Sequence, residues 1–160
     1  MLCRQGEWFL EADLTEVLLR PALEKDFPAI KALIHEARIN PNALDWRRFT
    51  VAETPDGQFI GCGQLKPHFD GTLELASLAV IPSQRGKGVA RVIIQKLMAD
   101  APRPLYLTCR SQLGPFYEKF GFRGISGDEL PQYFRRISKV AGLVNALHLI
   151  QDKLLVMVLD

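Results

Sequence analysis

The stretch from Leu75 to Ala90, LASLAVIPSQRGKGVA, restricts the fold more than any other part of the chain. Its first half is an apolar, β-prone run ended by Pro82. Its second half, Arg85-Gly86-Lys87-Gly88-Val89-Ala90, opens a segment whose apolar residues Val89, Val92, Ile93 and Leu97 keep the spacing of one helix face. A strand therefore runs through a glycine-bearing turn into a helix. Two glycines one residue apart let the backbone turn tightly and approach a ligand, and the first turn of a helix carries N–H groups without intrahelical partners. At the carboxyl end of a sheet strand, such a turn is a cradle for a pyrophosphate.

Two better-known phosphate loops do not fit. A Walker loop needs a hydroxyl residue after its lysine, and Lys87 is followed by Gly88. A dinucleotide fingerprint needs a third glycine three residues after the second, and Arg91 stands there. What remains is Arg85, Gly88 and Ala90 in the pattern R-x-x-G-x-A, after a strand ending Leu78-Ala79-Val80-Ile81-Pro82. This resembles the signature of the GNAT superfamily of acetyl-CoA-dependent N-acetyltransferases. A second stretch, LYLTCRSQLGPFYEKFGF from Leu105 to Phe122, reads as a buried strand, a loop and a short helix stopped by Gly121. Its FYEKFGF run is similar to the other widely shared GNAT segment, and Tyr117 stands 27 positions after Ala90, in the order the family has.

At 160 residues the chain suits one domain, 1–160, with one filled core. Charged residues at 24% and hydrophobic ones at 48% are the mix of a soluble globular protein, expected in the cytoplasm. Twenty Lys and Arg against eighteen Asp and Glu leave a net charge of +2 and no dense basic stripe, which argues against nucleic acid as a partner. No apolar run approaches the roughly twenty residues that cross a bilayer, so no membrane association is expected. Cys3, Cys62 and Cys109 are odd in number and lack C-x-x-C spacing, so neither a disulfide framework nor a metal site is indicated. The N-terminal residues 1–13 are either a loose extension or an extra edge strand.

Leu14 to Arg20 reads as a first strand stopped by Pro21, and Asp26 as the cap of a helix carrying Phe27, Ile30, Leu33, Ile34 and Ala37 on one face. After a short helical piece at Leu44 to Arg48, strands at Phe49–Glu53, Phe59–Lys66 and Thr72–Ile81 form a meander through the turns Pro55-Asp56-Gly57 and Asp70-Gly71. The class is mixed α/β, a mostly antiparallel central sheet flanked by helices, and this order is similar to the GNAT fold over roughly residues 14 to 125. Beyond it, 131–150 is a helical elaboration with Phe134, Ile137, Val140, Ala141, Val144 and Leu147 on one face. It either caps a substrate cleft or joins two subunits as a homodimer. Leu154 to Leu159 supplies a last strand.

Acyl transfer to an amine needs a base, because an alkyl ammonium with pKa about 10.4 is not nucleophilic at neutral pH. The resemblance implies acetyl-CoA as co-substrate, no metal, and a small-molecule amine as acceptor. Glu74, six residues before Val80, resembles the general-base position of part of the family, or is a solvated edge charge. Backbone groups of Leu78, Ala79 and Val80 serve the coenzyme's pantetheine arm if the strand splays from its neighbour. The N–H groups of Gly86, Lys87, Gly88, Val89 and Ala90 take its pyrophosphate, with Arg85, Lys87 or Arg91 meeting the remaining charge. By resemblance Tyr117 protonates the departing thiolate; otherwise its ring packs on the sheet. Many relatives have Asn seven residues before this tyrosine. Here it is Arg110, leaving Ser111 or Gln112 to replace the contact. His68 either faces the acceptor pocket or is solvated, and Cys109 reads as core. ELASLAV also looks like the acetyltransferase domains that acetylate glutamate, which favours a small amino acid or related metabolite over a histone tail; acetylation of a protein N-terminus or lysine is the rival among enzymes. A catalytically quiet acyl-CoA-binding domain is the alternative outside enzymes.

Overall fold

A computed structural model describes residues 17–146 and 153–160 of the chain. Seven strands form one sheet in the order β1-β2-β3-β4-β5-β7-β6. They are β1 (Leu18–Pro21), β2 (Phe49–Glu53), β3 (Phe59–Pro67), β4 (Leu73–Val80), β5 (Leu105–Arg110), β6 (Arg123–Ile125) and β7 (Leu154–Leu159). The helices are α1 (Phe27–Glu36), α2 (Val89–Asp100), α3 (Gly114–Glu118) and α4 (Gln132–Ala146). Every strand pair is antiparallel except β4 with β5. That exception follows from α2, which carries the chain back across the sheet between them, as a parallel pair requires.

Alternation sorts the strand residues onto two faces. On one, Ile93, Ile94 and Leu97 of α2 pack with Leu75, Leu107, Met157 and, from α3, Tyr117. On the other, Ile30, Leu33 and Ile34 of α1 pack with Val51, Cys62 and Ala79, while Phe134 of α4 packs with Tyr106, Val156 and Val158. Burial of each such aliphatic side chain contributes about 1.5–3 kcal/mol. The helix α1 thus covers the β2–β4 half of that face and α4 the β5–β7–β6 half.

The structure differs from these expectations, or adds to them, in several places. Asp26 does not cap α1: its carboxylate accepts from Arg20 at 2.6 and 3.1 Å and from the Leu23 N–H at 2.7 Å. The Arg20 guanidinium holds the Asp26 carboxyl below its ordinary value, and an ion pair to the first strand outcompetes a local cap. The first strand begins at Leu18, its proposed start at Leu14 lying outside the described residues. Finally, β6 goes unread in the sequence because three residues are too few to show alternation; it is defined by pairing with β7. On α4, Phe134 is buried but Val140 is 65% exposed, and Leu147 lies outside the described residues.

Candidate active site

The register of β3 against β4 slips between Cys62 and Gln64, where Cys62 faces Ala79 but Gln64 faces Ala76. β4 therefore holds one extra residue, and Ser77 within it adopts φ +54°. A bulge of this kind bends its strand and re-aims side chains. Leu75 lies on the α2 face, and beyond the bulge Leu78 and Val80 return to it, while Ala79 faces α1. Ser77 is braced by a hydrogen bond from Gln64 Nε2 to its Oγ at 2.8 Å. Gln64 is fully buried and its Oε1 has no partner among the described residues. Ser77→Ala, which strips the amide of its Ser77 hydrogen bond, is expected to cost about 1–3 kcal/mol. Denaturant midpoints check this, and the double variant with Gln64→Leu should recover most of the loss, because no polar group is then left bare.

On its other side β4 pairs with β5 only at Leu73–Leu105 and Glu74–Tyr106. Past Glu74 the two strands diverge and a cleft of about 990 Å³ opens between them. Leu75 to Val80 form one wall; Thr108, Cys109, Arg110, Gln112 and Tyr117 form the other. Arg38 from the turn after α1, Lys66 from β3, and Tyr133 and Ile137 from α4 also line it. The first turns of α4 therefore cap the cleft, one of the two roles the sequence left open for this segment.

Glu74 sits where the splay begins, on the cleft wall, with a side chain only 7% exposed. Its Oε1 accepts from Thr108 Oγ1 at 2.7 Å, and its Oε2 lies 2.8 Å from His68 Nε2. It is not a solvated edge charge. Nor is His68 a solvated loop residue: its ring stacks on Tyr133 with centroids 3.5 Å apart, and its side chain is 4% exposed. Asp70 completes this corner by accepting the Tyr133 N–H at 2.7 Å, which ties the β3–β4 turn to the start of α4.

Val80 ends β4 at the glycine turn. Gly86 has φ +75° and Gly88 φ +84°, a backbone region that side chains penalise. A Cβ on Gly86 would meet nothing within 4 Å, so the space in front of the turn is open. Among the described residues no acceptor occupies the N–H groups from Gly86 to Ala90. Arg85 instead donates from Nε to the Val80 carbonyl at 2.9 Å, locking the turn to the strand. The cleft lining reaches Arg85 but not Gly86 to Ala90, which stand beyond its end. Ser111 is not on the wall either. Its N–H bonds the Lys153 carbonyl at 2.9 Å, and Gln112 faces the cleft in its place.

Tyr117 is buried against Phe116 and Phe122 and lines the cleft. Burial, aided by Cys109, pushes its phenol up to about 12, so it keeps its proton throughout the neutral range. Cys109 on the same wall is pushed up to about 11 by burial, an unactivated thiol. Thr108 and Tyr133 went unnoticed in the sequence, since no spacing links residues 34 and 59 positions from Glu74; only pairing and helix docking bring them to it.

Against known proteins, residues 45–124 match the family model of the acetyltransferase (GNAT) domain. Over 125 residues, 69% of this chain and 70% of the other, the chain is 30% identical to the amino-acid acetyltransferase of Mycobacterium tuberculosis. The chain belongs to the GNAT acetyltransferase family. Among solved structures, N-acetylglutamate synthase from Neisseria gonorrhoeae, complexed with coenzyme A and L-arginine, superposes with TM-score 0.68 at 25% identity. The match covers 88% of this chain but 32% of that one, so the chain spans about a third of the synthase. A Mycobacterium tuberculosis protein in complex with CoA and NLQ superposes with TM-score 0.67 at 22% identity, over 89% of this chain and 99% of that one. The GNAT match contains Glu74, the glycine turn and Tyr117. Arg38, Tyr133 and Ile137 lie outside it, so the turn after α1 and the start of α4 line the cleft from beyond the matched segment. No helix among the described residues is long and apolar enough to cross a membrane.

Proposed function

We propose that the chain transfers the acetyl group of acetyl-CoA to the primary amine of a small amino acid, by direct attack with both substrates bound. The observation that carries this reading is a carboxylate fixed at the closed end of the β4–β5 splay. The coenzyme fits what is present: an unpaired β4 edge for an amide-bearing arm, and open N–H groups at the start of α2 for a diphosphate. Acetyl-CoA, when bound, supplies the activated acyl carbon.

Glu74 takes the proton of the incoming ammonium, leaving the nitrogen lone pair free to attack. A backbone N–H on the unpaired edge of β4 between Leu78 and Val80 donates to the carbonyl oxygen as charge builds on it. Tyr117 hydrogen-bonds the departing sulfur. A phenol at about 12 is a weak acid beside an ordinary thiol at about 8.5, but the same wall raises the Cys109 thiol to about 11. Desolvation at the same wall favours the protonated form of a departing thiolate, the direction that transfer from Tyr117 needs. Tyr117→Phe is expected to lower kcat by roughly 10²-fold with coenzyme affinity nearly unchanged, read from steady-state thiol release and isothermal titration.

Arg38 and Lys66 line the cleft, and Lys66, opposite Glu74 in the β3–β4 register, uses one donor on the Asn42 carbonyl at 3.1 Å. Cations there favour an acceptor that carries a carboxylate beside its amine. The amino-acid acetyltransferase and the N-acetylglutamate synthase named above are relatives whose substrates have that form. A thiol-release screen across amino acids, polyamines, aminoglycosides and peptides tests the reading. Turnover restricted to amino acids supports it; turnover of polyamines or aminoglycosides alone overturns the acceptor class.

A further inference from the structure

We propose that His68 is a positioning residue that shares one proton with Glu74 and so switches the carboxylate's capacity to act as base; this rests on the reading of Glu74 given above. A ring nitrogen and a carboxylate oxygen 2.8 Å apart, both in side chains less than a tenth exposed, hold a hydrogen between them, since two facing lone pairs would repel. Thr108 supplies the hydrogen at the other oxygen. The carboxylate is thereby pinned at both oxygens while retaining lone pairs toward the cleft.

The charge of the pair decides what it can do. With neutral imidazole donating from Nε2, the pair carries −1. Taking a proton from the ammonium breaks an N–H bond, leaves its electrons on nitrogen, forms an O–H bond on Glu74 and brings the pair to zero. With imidazolium the pair is already neutral, and accepting the same proton would put +1 in a buried corner, which low polarity disfavours. The other ionisable groups around the corner are Asp70 from the β3–β4 turn, Lys66 from β3, Tyr106 from β5 and Tyr133 and Arg136 from α4. Arg136 lies over the Phe69 ring, and Tyr133 stacks on the imidazole itself. Burial raises both tyrosines above their ordinary value, so they stay neutral. Asp70 is held by Thr72 and the Tyr133 N–H. Among side-chain types, histidine is the one whose unperturbed charge change lies between about pH 5 and 8.

The test is the pH profile of kcat at saturating substrates for the wild-type chain, His68→Gln and Glu74→Gln. Gln keeps a donor at the length of Nε2 but cannot take up a proton. In the wild type the acid limb should fall within about pH 5–8. In His68→Gln it should move below that window, with KM for acetyl-CoA unchanged. A His68→Gln profile with the wild-type midpoint and only a lower plateau overturns the proposal and leaves His68 a packing residue. If Glu74→Gln retains wild-type turnover, the base assignment itself falls; if that variant is inactive while the His68→Gln midpoint stays put, only the role of His68 falls. Should His68→Gln fail to fold, ring-proton NMR of His68 decides. Its titration should move to lower pH in Glu74→Gln than in the wild type, and an unchanged midpoint overturns the shared proton.

Discussion

Glu74→Gln is expected to lower kcat by roughly 10²–10⁴-fold at neutral pH, the usual worth of a positioned acid or base. The substitution is nearly isosteric: the amide oxygen still accepts from Thr108 at one end, and its NH₂ donates to His68 Nε2 at the other once the imidazole carries its hydrogen on Nδ1. Stability and coenzyme affinity should therefore stay close to wild type, isolating the chemical step. The deficit should shrink as pH rises toward about 10, where the acceptor amine loses its proton without help. Steady-state thiol release between neutral and alkaline pH reads both effects. Neutral-pH turnover within a few fold of wild type would remove the carboxylate from the reaction.

Gly88→Val is expected to abolish coenzyme binding. Gly88 is the N-cap of α2 at φ +84°, where a side chain strains the backbone by about 1–2 kcal/mol and stands among the N–H groups of the first helical turn. Strain alone is controlled by Gly57→Val, since Gly57 has the same φ of +84° in the β2–β3 turn with open space around it. Acetyl-CoA at a hundredfold excess over its Kd stabilises a protein that binds it by about 2.7 kcal/mol. In thermal or chemical unfolding, wild type and Gly57→Val should show that gain and Gly88→Val should not. A ligand-induced gain in Gly88→Val would contradict the cradle.

Much of this arrangement was legible in the chain because it is local. Glycines at 86 and 88, a β-prone run before them and a 3.6-residue pattern after them dictate strand, turn and helix whatever surrounds them. The last strand, Leu154–Leu159, was legible too, as an unbroken apolar run, and so were the meander turns. Less was visible where a residue's role depends on a partner distant in sequence. Asp26 has the chemistry of a helix cap and spends it on Arg20, because an ion pair at 2.6 Å was available from β1. Ser111 has the hydroxyl that a coenzyme contact needs, yet the turn into α3 directs Gln112 to the cleft.

By itself, then, the sequence determined the family, the mixed sheet and the glycine turn, all written in residues within a few positions of one another. The tertiary structure decided the site's working parts. β4 carries an extra residue at Ser77, its pairing with β5 stops at Glu74, β7 covers only the opposite edge of β5, and α4 lines the gap. These place His68, Glu74, Thr108 and Tyr133 in one corner, a meeting that no periodicity encodes because each reaches it from a different element.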